Sequence, residues 1–165
     1  MKKYFLSVFS LVLLLAACST DGDDNNDAND ASSLVGTWAM TDVRFDDDPN
    51  NTSLNLADEI VDALVMENCF LVSFTFNADG TASADNKVNY LEVNAGPNGL
   101  DVPCPTQSDI ESTLWSLNGN QLTFINDNQE EETITIQLDG NTLIIAGEDI
   151  DANNYTGAEA VFTKQ

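Results

Sequence analysis

Residues 70–76 read Phe-Leu-Val-Ser-Phe-Thr-Phe, and residues 77–80 continue as Asn-Ala-Asp-Gly. Phenylalanine and valine alternate with serine and threonine in the first stretch, which is the pattern of a β-strand with one buried face and one solvated face. Asparagine, aspartate and glycine tolerate positive φ, so the second stretch predicts a tight turn that leads into a return strand at 81–84. One-sided alternation of this kind is typical of antiparallel sheets.

The same arrangement recurs along the chain and brings the count to about eight or nine strands, which predicts an all-β, antiparallel up-and-down β-barrel. A closed barrel has no free sheet edges and holds either packed side chains or one small ligand. The other predicted strands are 35–45, 87–94, 112–117, 121–126, 132–138, 142–147 and 158–163, with the turns Asn118-Gly119-Asn120 and Asp139-Gly140-Asn141 joining two of the hairpins.

One short helix interrupts the strand pattern. Leu56, Ile60 and Leu64 recur at helical spacing, and Asn55 is a good N-cap, so a helix is expected between residues 56 and 67. It would cover one barrel end, either as a gating lid or only as a cover. Residues 95–109 are rich in glycine and proline and predict a long loop.

Charge and composition exclude several classes of function. The chain of 165 residues has 28 Asp and Glu, 5 Lys and Arg and no His, with a net charge of −23. Nucleic-acid binding needs Lys and Arg to neutralise phosphates, and histidine-based catalysis, haem ligation and the usual zinc sites are excluded too. No catalytic residue, metal or cofactor is therefore predicted, and we expect a protein that is not an enzyme.

Two groups of acidic residues are compatible with other functions, a calcium site and a pair of catalytic carboxylates. Asp149, Asp151 and Asn153 have the spacing of oxygen ligands for calcium. Glu130 and Glu131 form an adjacent pair of the kind that a glycosidase could use, although such pairs in turns are usually solvated.

The first 17 residues predict a signal peptide: Lys2 and Lys3 precede an apolar stretch at 4–15, shorter than the roughly 20 residues of a membrane span. Leu15-Ala16-Ala17-Cys18 resembles the lipobox of bacterial lipoproteins. That resemblance implies cleavage before Cys18, diacylglycerol on its thiol and a fatty acyl group such as palmitate on its amine. Residues 18–33 then form the lipidated cysteine and an acidic, disordered tether.

An acidic run directly after the lipidated cysteine resembles the signal that exports some lipoproteins to the outer membrane. The resemblance implies an outer-membrane, lipid-anchored protein exposed at the cell surface. The membrane contact would be made through the anchor only, since an acidic domain is repelled by anionic lipid.

Cys69 and Cys104 are the two cysteines left after Cys18. In an oxidising compartment such a pair predicts a disulfide, which by the chain-entropy model contributes about 4 kcal/mol. A metal or redox role is the alternative, but the pair lacks CxxC spacing and histidine partners.

The order of several motifs resembles the lipocalin-like domains of bacterial lipoproteins, of the calycin barrel type. The resemblance covers roughly residues 34–165 and implies a barrel closed by the signature residues Gly36 and Trp38, with Lys164 as the nearest basic residue to cover the tryptophan. The motifs are Gly36-Thr37-Trp38, Cys69 before an aromatic strand that runs into Asp79-Gly80-Thr81, a second cysteine, Leu114-Trp115-Ser116-Leu117 and Asn120-Gln121-Leu122-Thr123-Phe124.

A barrel of this kind offers a lumen lined by inward side chains. We expect it to bind a small apolar or amphipathic ligand, although each lining residue is more often plain core than a ligand contact. The alternative is a surface interaction or structural lipoprotein that contacts a protein or glycan, for example through Asp46, Asp47 and Asp48, with no ligand in the lumen. The predicted ligand-binding residues are Trp38, Phe74, Tyr90, Trp115, Phe124, Ile136 and Phe162, with Tyr155 as a further polar candidate.

Overall fold

A computed structural model describes residues 30–45, 52–97, 99–126, 128–150 and 157–165. Within these ranges the helices are α1 (Ala31–Leu34), α2 (Thr52–Met66) and α3 (Gly147–Ile150), with a 3₁₀ turn at Val88–Tyr90. The strands are β1 (Gly36–Phe45), β2 (Val72–Phe76), β3 (Thr81–Asn86), β4 (Asn94–Gly96), β5 (Gly99–Asp101), β6 (Asp109–Asn118), β7 (Gln121–Ile125), β8 (Glu131–Asp139), β9 (Thr142–Ala146) and β10 (Ala158–Lys164).

Eight of these strands close into an antiparallel barrel, which confirms the predicted fold class. Around the barrel they follow the order β1, β10, β9, β8, β7, β6, β3 and β2, and β2 pairs with β1 to complete the ring. Trp38 of β1 lies opposite Phe74 of β2 on one side and Lys164 of β10 on the other. Strands β4 and β5 form a separate two-stranded sheet.

The apolar and polar residues that alternate in the sequence face the inside and the outside of the barrel, respectively. In β8, Ile134, Ile136 and Leu138 are buried, whereas the residues between them are exposed. Burying a side chain of this size contributes about 1.5–3 kcal/mol. The inward faces of the strands therefore supply most of the hydrophobic core.

The two barrel ends differ. The tight β2–β3, β6–β7 and β8–β9 turns lie at one end, which we call the closed end. Gly119 and Gly140 have φ of 61° and 57° in two of these turns, as predicted for hairpin glycines. Helices α2 and α3 follow the other ends of β1 and β9, and we call that end of the barrel the mouth.

The side chain of Trp38 fills the closed end of the barrel. This side chain is fully buried, and its indole N–H donates to the Leu34 carbonyl at 2.7 Å. The Lys164 ammonium lies 5.2 Å from the centre of the indole ring and donates to the Ser33 carbonyl at 2.9 Å, so it makes the cation–π contact that the resemblance implied. These contacts bind α1 to the barrel, and α1 overlaps the last residues of the segment predicted as a tether.

Helix α2 exists, but its predicted start is wrong. It begins at Thr52 rather than after Asn55, so Asn55 lies inside the first turn and is not the N-cap. Leu56 is 42% exposed, so the buried face is formed by Ile60, Val61 and Leu64.

Two predictions for the segment between β3 and β6 are also wrong. The predicted strand at 87–94 is absent apart from Asn94, the first residue of β4: the Asn86 side chain accepts a hydrogen bond from the Val88 backbone N–H at 2.9 Å and starts a 3₁₀ turn instead. The predicted loop at 95–109 contains part of a short hairpin, in which Gly96 pairs with Gly99. No helix in the described part of the chain is both long and apolar enough to span a membrane.

The predicted disulfide between Cys69 and Cys104 is confirmed. It joins the residue just beyond α2 to the connection that precedes β6, across a sequence separation of 35 residues. The bond thus ties together two segments that leave the barrel at its mouth.

Replacing both disulfide cysteines, Cys69→Ala and Cys104→Ala, is expected to lower the free energy of unfolding by about 2–4 kcal/mol, because the unfolded chain regains the freedom of the closed loop. Urea denaturation followed by tryptophan fluorescence measures the change. The reduced wild-type protein should behave like the double variant, and an unchanged unfolding midpoint in both would contradict the stabilising role of the bond.

Candidate functional site

A cavity of about 530 Å³ lies inside the barrel and opens at its mouth, and its volume is within the size range of small-molecule sites. Its walls come from strands, and α2 covers part of its opening. The apolar lining residues are Met40, Val43, Ala57, Ile60, Val61, Leu71, Val72, Phe74, Phe76, Ala82, Ala84, Val88, Leu91, Trp115, Leu122, Phe124, Ile125, Ile134, Ile145, Ile150, Ala158, Ala160 and Phe162.

Small inward residues create this space. Ala82 and Ala84 of β3 and Ala158 and Ala160 of β10 all border the cavity. Each leaves room that a leucine or phenylalanine would fill in a packed core. Only bulky residues were predicted to line the lumen, so these four alanines were missed. Alanine at alternate strand positions is nevertheless a signal in the sequence of an unfilled lumen.

Aromatic rings form one continuous wall of the cavity. The Phe74 ring centre lies 5.0 Å from that of Phe162 and 6.2 Å from that of Phe76, and Phe76 meets Trp115 edge-on at 5.1 Å. The Trp115 indole N–H donates to the Thr81 carbonyl at 3.0 Å. Because its only polar atom is bonded to the backbone, Trp115 offers the cavity an apolar surface.

The structure brings four of the seven predicted ligand-binding residues to the cavity: Phe74, Trp115, Phe124 and Phe162. Trp38 and Ile136 do not border it, because they are packed in the core of the closed end. Tyr155 lies outside the described residues.

Tyr90 does not border the cavity either, although Val88 of the same 3₁₀ turn does. Its hydroxyl donates to Asp109 Oδ1 at 2.8 Å, and the Asn89 amide donates to Oδ2 at 2.8 Å. The bonds from Asn89 and Tyr90 lower the pKa of Asp109 from its usual value, and the same contact raises the pKa of Tyr90. Asp109 is therefore held at the mouth as a carboxylate.

Polar side chains border the cavity mainly near the mouth. Glu111 and Asp149 are exposed, whereas Asp109 and Glu159 are partly buried. The polar lining residues are Ser83, Asn86, Asp109, Glu111, Thr113, Asn126, Asp149 and Glu159.

The remaining acidic candidates do not form a metal-binding group within the described residues. No three carboxylate or cysteine side chains there lie close enough together to hold a metal ion. Glu130 and Glu131 are both exposed. Asp151 and Asn153 of the calcium alternative, and the acidic run at 46–48, lie outside the described ranges.

A model of the lipocalin-like domain family matches residues 34–145, most of the folded region. The chain belongs to this lipocalin-like family. The solved structure of a lipocalin-like protein from Bacteroides uniformis is similar to this chain, with 14% sequence identity, a TM-score of 0.39 and coverage of 81% of this chain and 99% of that one. No functionally curated protein matches the chain.

The geometry of the lipocalin-like barrel explains why glycine occurs at the signature position 36. Gly36 has φ of 133°, and a Cβ atom there would lie 2.7 Å from Cε of Lys164. Glycine is therefore favoured by the backbone conformation, and a larger residue would in addition displace the end of the lysine side chain that covers Trp38. The family match ends at residue 145, yet β10, which lies beyond it, completes the lipocalin-like barrel by pairing with β1 and β9.

Proposed function

We propose that this lipocalin-like protein binds a small apolar or amphipathic molecule in its barrel. The observation that carries the proposal is the cavity of about 530 Å³, which is walled by aromatic and aliphatic side chains and reaches the surface at the mouth. A void lined by apolar side chains loses the dispersion contacts that a partner would supply. A bound hydrocarbon restores those contacts and leaves water at the same time.

The difference between the two barrel ends indicates that a ligand enters at the mouth. Trp38 and α1 obstruct the closed end, whereas α2, α3 and the 3₁₀ turn surround the mouth. Val88 and Ile150 border the cavity and are 41% and 51% exposed. Apolar side chains that are open to solvent at an entrance suit the passage of an apolar ligand.

A binding role without catalysis is the function that these residues support. Lipocalin-like folds are in general binding or carrier folds. The sequence has no histidine. Among the carboxylates that border the cavity, Asp109 has a lowered pKa, which is the opposite of what a general acid needs.

Ala84→Leu is expected to weaken ligand binding by about tenfold, because the larger side chain occupies part of the lumen. Fluorescence titration with the neutral apolar dye N-phenylnaphthylamine measures the affinity. Ala146→Leu is the matched control: the same substitution in β9, at a residue that does not border the cavity. Equal affinities in both variants, or no dye binding by the wild-type protein, would contradict the proposal.

We also propose that the protein is a lipoprotein of the outer membrane, anchored through Cys18 and exposed at the cell surface. The resemblance of residues 15–18 to a lipobox and the acidic residues that follow support this proposal. Two acyl signals are needed for stable attachment, since one chain gives only marginal binding. The described fold starts at Asp30, beside the closed end, so the chain enters the barrel at the end opposite the mouth.

Cys18→Ala is expected to abolish incorporation of an alkyne-labelled palmitate and to move the protein out of the membrane fraction. The Cys69→Ala, Cys104→Ala double variant should keep the label and serves as the control for loss of cysteine. Protease treatment of intact cells then tests exposure, because a protein that faces the periplasm is protected. Persistent labelling of the Cys18→Ala variant would contradict the anchor.

A further inference from the structure

The mouth of the cavity carries negative charge on two opposite sides. Asp109 and Glu111 lie at the start of β6, whereas Glu159 lies at the start of β10 and Asp149 in the adjacent α3. Strands β6 and β10 face each other across the ring of eight strands. The part of a ligand that remains at the mouth would therefore lie between carboxylates from both sides.

No basic side chain of the described chain borders the cavity. The Arg44 guanidinium is paired with Asp42 at 3.1 Å. Lys164 covers Trp38 at the closed end, far from the mouth. Lys87 follows β3 near the mouth but is not among the lining residues. Nothing among these residues would offset the repulsion between the mouth and an anionic head group.

Three of the four neutral polar residues that line the cavity are already hydrogen-bonded to the backbone. The Asn86 side chain accepts from Val88 N–H, and the Asn126 side-chain oxygen accepts from the N–H groups of Asn128 and Glu130. The Thr113 hydroxyl donates to the Ile125 carbonyl at 2.8 Å. The carboxylates of Glu111 and Asp149 remain available as acceptors for a bound head group.

We propose that the cavity selects cationic amphiphiles, with the apolar body against the aromatic wall and an ammonium-type head at the mouth between Glu111 and Asp149. This inference rests on the proposed function and specifies its ligand class. The deep part of the cavity is walled by Phe74, Phe162 and Ile134 and suits a hydrocarbon. A carboxylate or sulfate head would instead lie against like charge.

Matched alkyl probes test this selection. Decyltrimethylammonium, decanol and decanoate share one chain and differ in head-group charge, so each is titrated against bound N-phenylnaphthylamine. The full protein is held in lipid nanodiscs, and empty nanodiscs are subtracted. We expect the cation to bind most tightly, at least about tenfold more tightly than the anion.

Two double variants that remove the same charge distinguish the effect of the carboxylates at the mouth from the effect of the overall negative charge. Glu111→Gln with Asp149→Asn should reduce the preference for the cation several-fold. Glu131→Gln with Asp139→Asn removes the same charge at exposed positions of β8 that do not border the cavity, and should keep the preference. Added salt should weaken the long-range attraction much more than the contact at the mouth.

The outcomes distinguish this inference from the function on which it rests. Failure of all three probes and of the dye to bind would overturn the proposed function. Binding of decanoate as tight as that of decyltrimethylammonium, or an equal loss in both double variants, would overturn the cationic selection and leave the binding cavity intact.

Discussion

The pairing of β1 with both β2 and β10 is the constraint on which the rest of the structure depends. Trp38 lies opposite Phe74 in one neighbour and Lys164 in the other, so one strand joins the first and last parts of the barrel. Closure removes the free edges that an open sheet would expose. Closure also turns one face of every strand inward. An enclosed cavity can form only because the sheet is closed.

What the barrel can hold follows from how its interior is divided. At the closed end, large side chains such as Trp38, Leu138 and Leu143 are buried against one another. Towards the mouth, alanine at Ala84 and Ala160 replaces large residues and leaves space. The same strands thus supply a packed half, which stabilises the fold, and an unfilled half, which we propose binds a ligand.

Much of this architecture could be predicted because it depends on local pattern. Alternation in β8 and the Asn-Gly turn after β6 act within a few residues, and the cysteine count left one intramolecular pairing. The path between β3 and β6 could not be predicted, because the Asn86 side chain competes there with strand pairing. Neither could the lining of the cavity: whether Ile136 fills the core or borders a space depends on the size of residues in distant strands.

A crystal of the protein soaked with bromodecanol, in which anomalous scattering locates the bromine, tests most directly whether the closed barrel holds a ligand. A binding cavity inside a closed barrel predicts a bromine peak between α2 and Phe162, with β1 paired to both β2 and β10. A peak found only on the outer surface, or a β1 strand paired on one side alone, would contradict the claim that the sheet closes around a binding cavity.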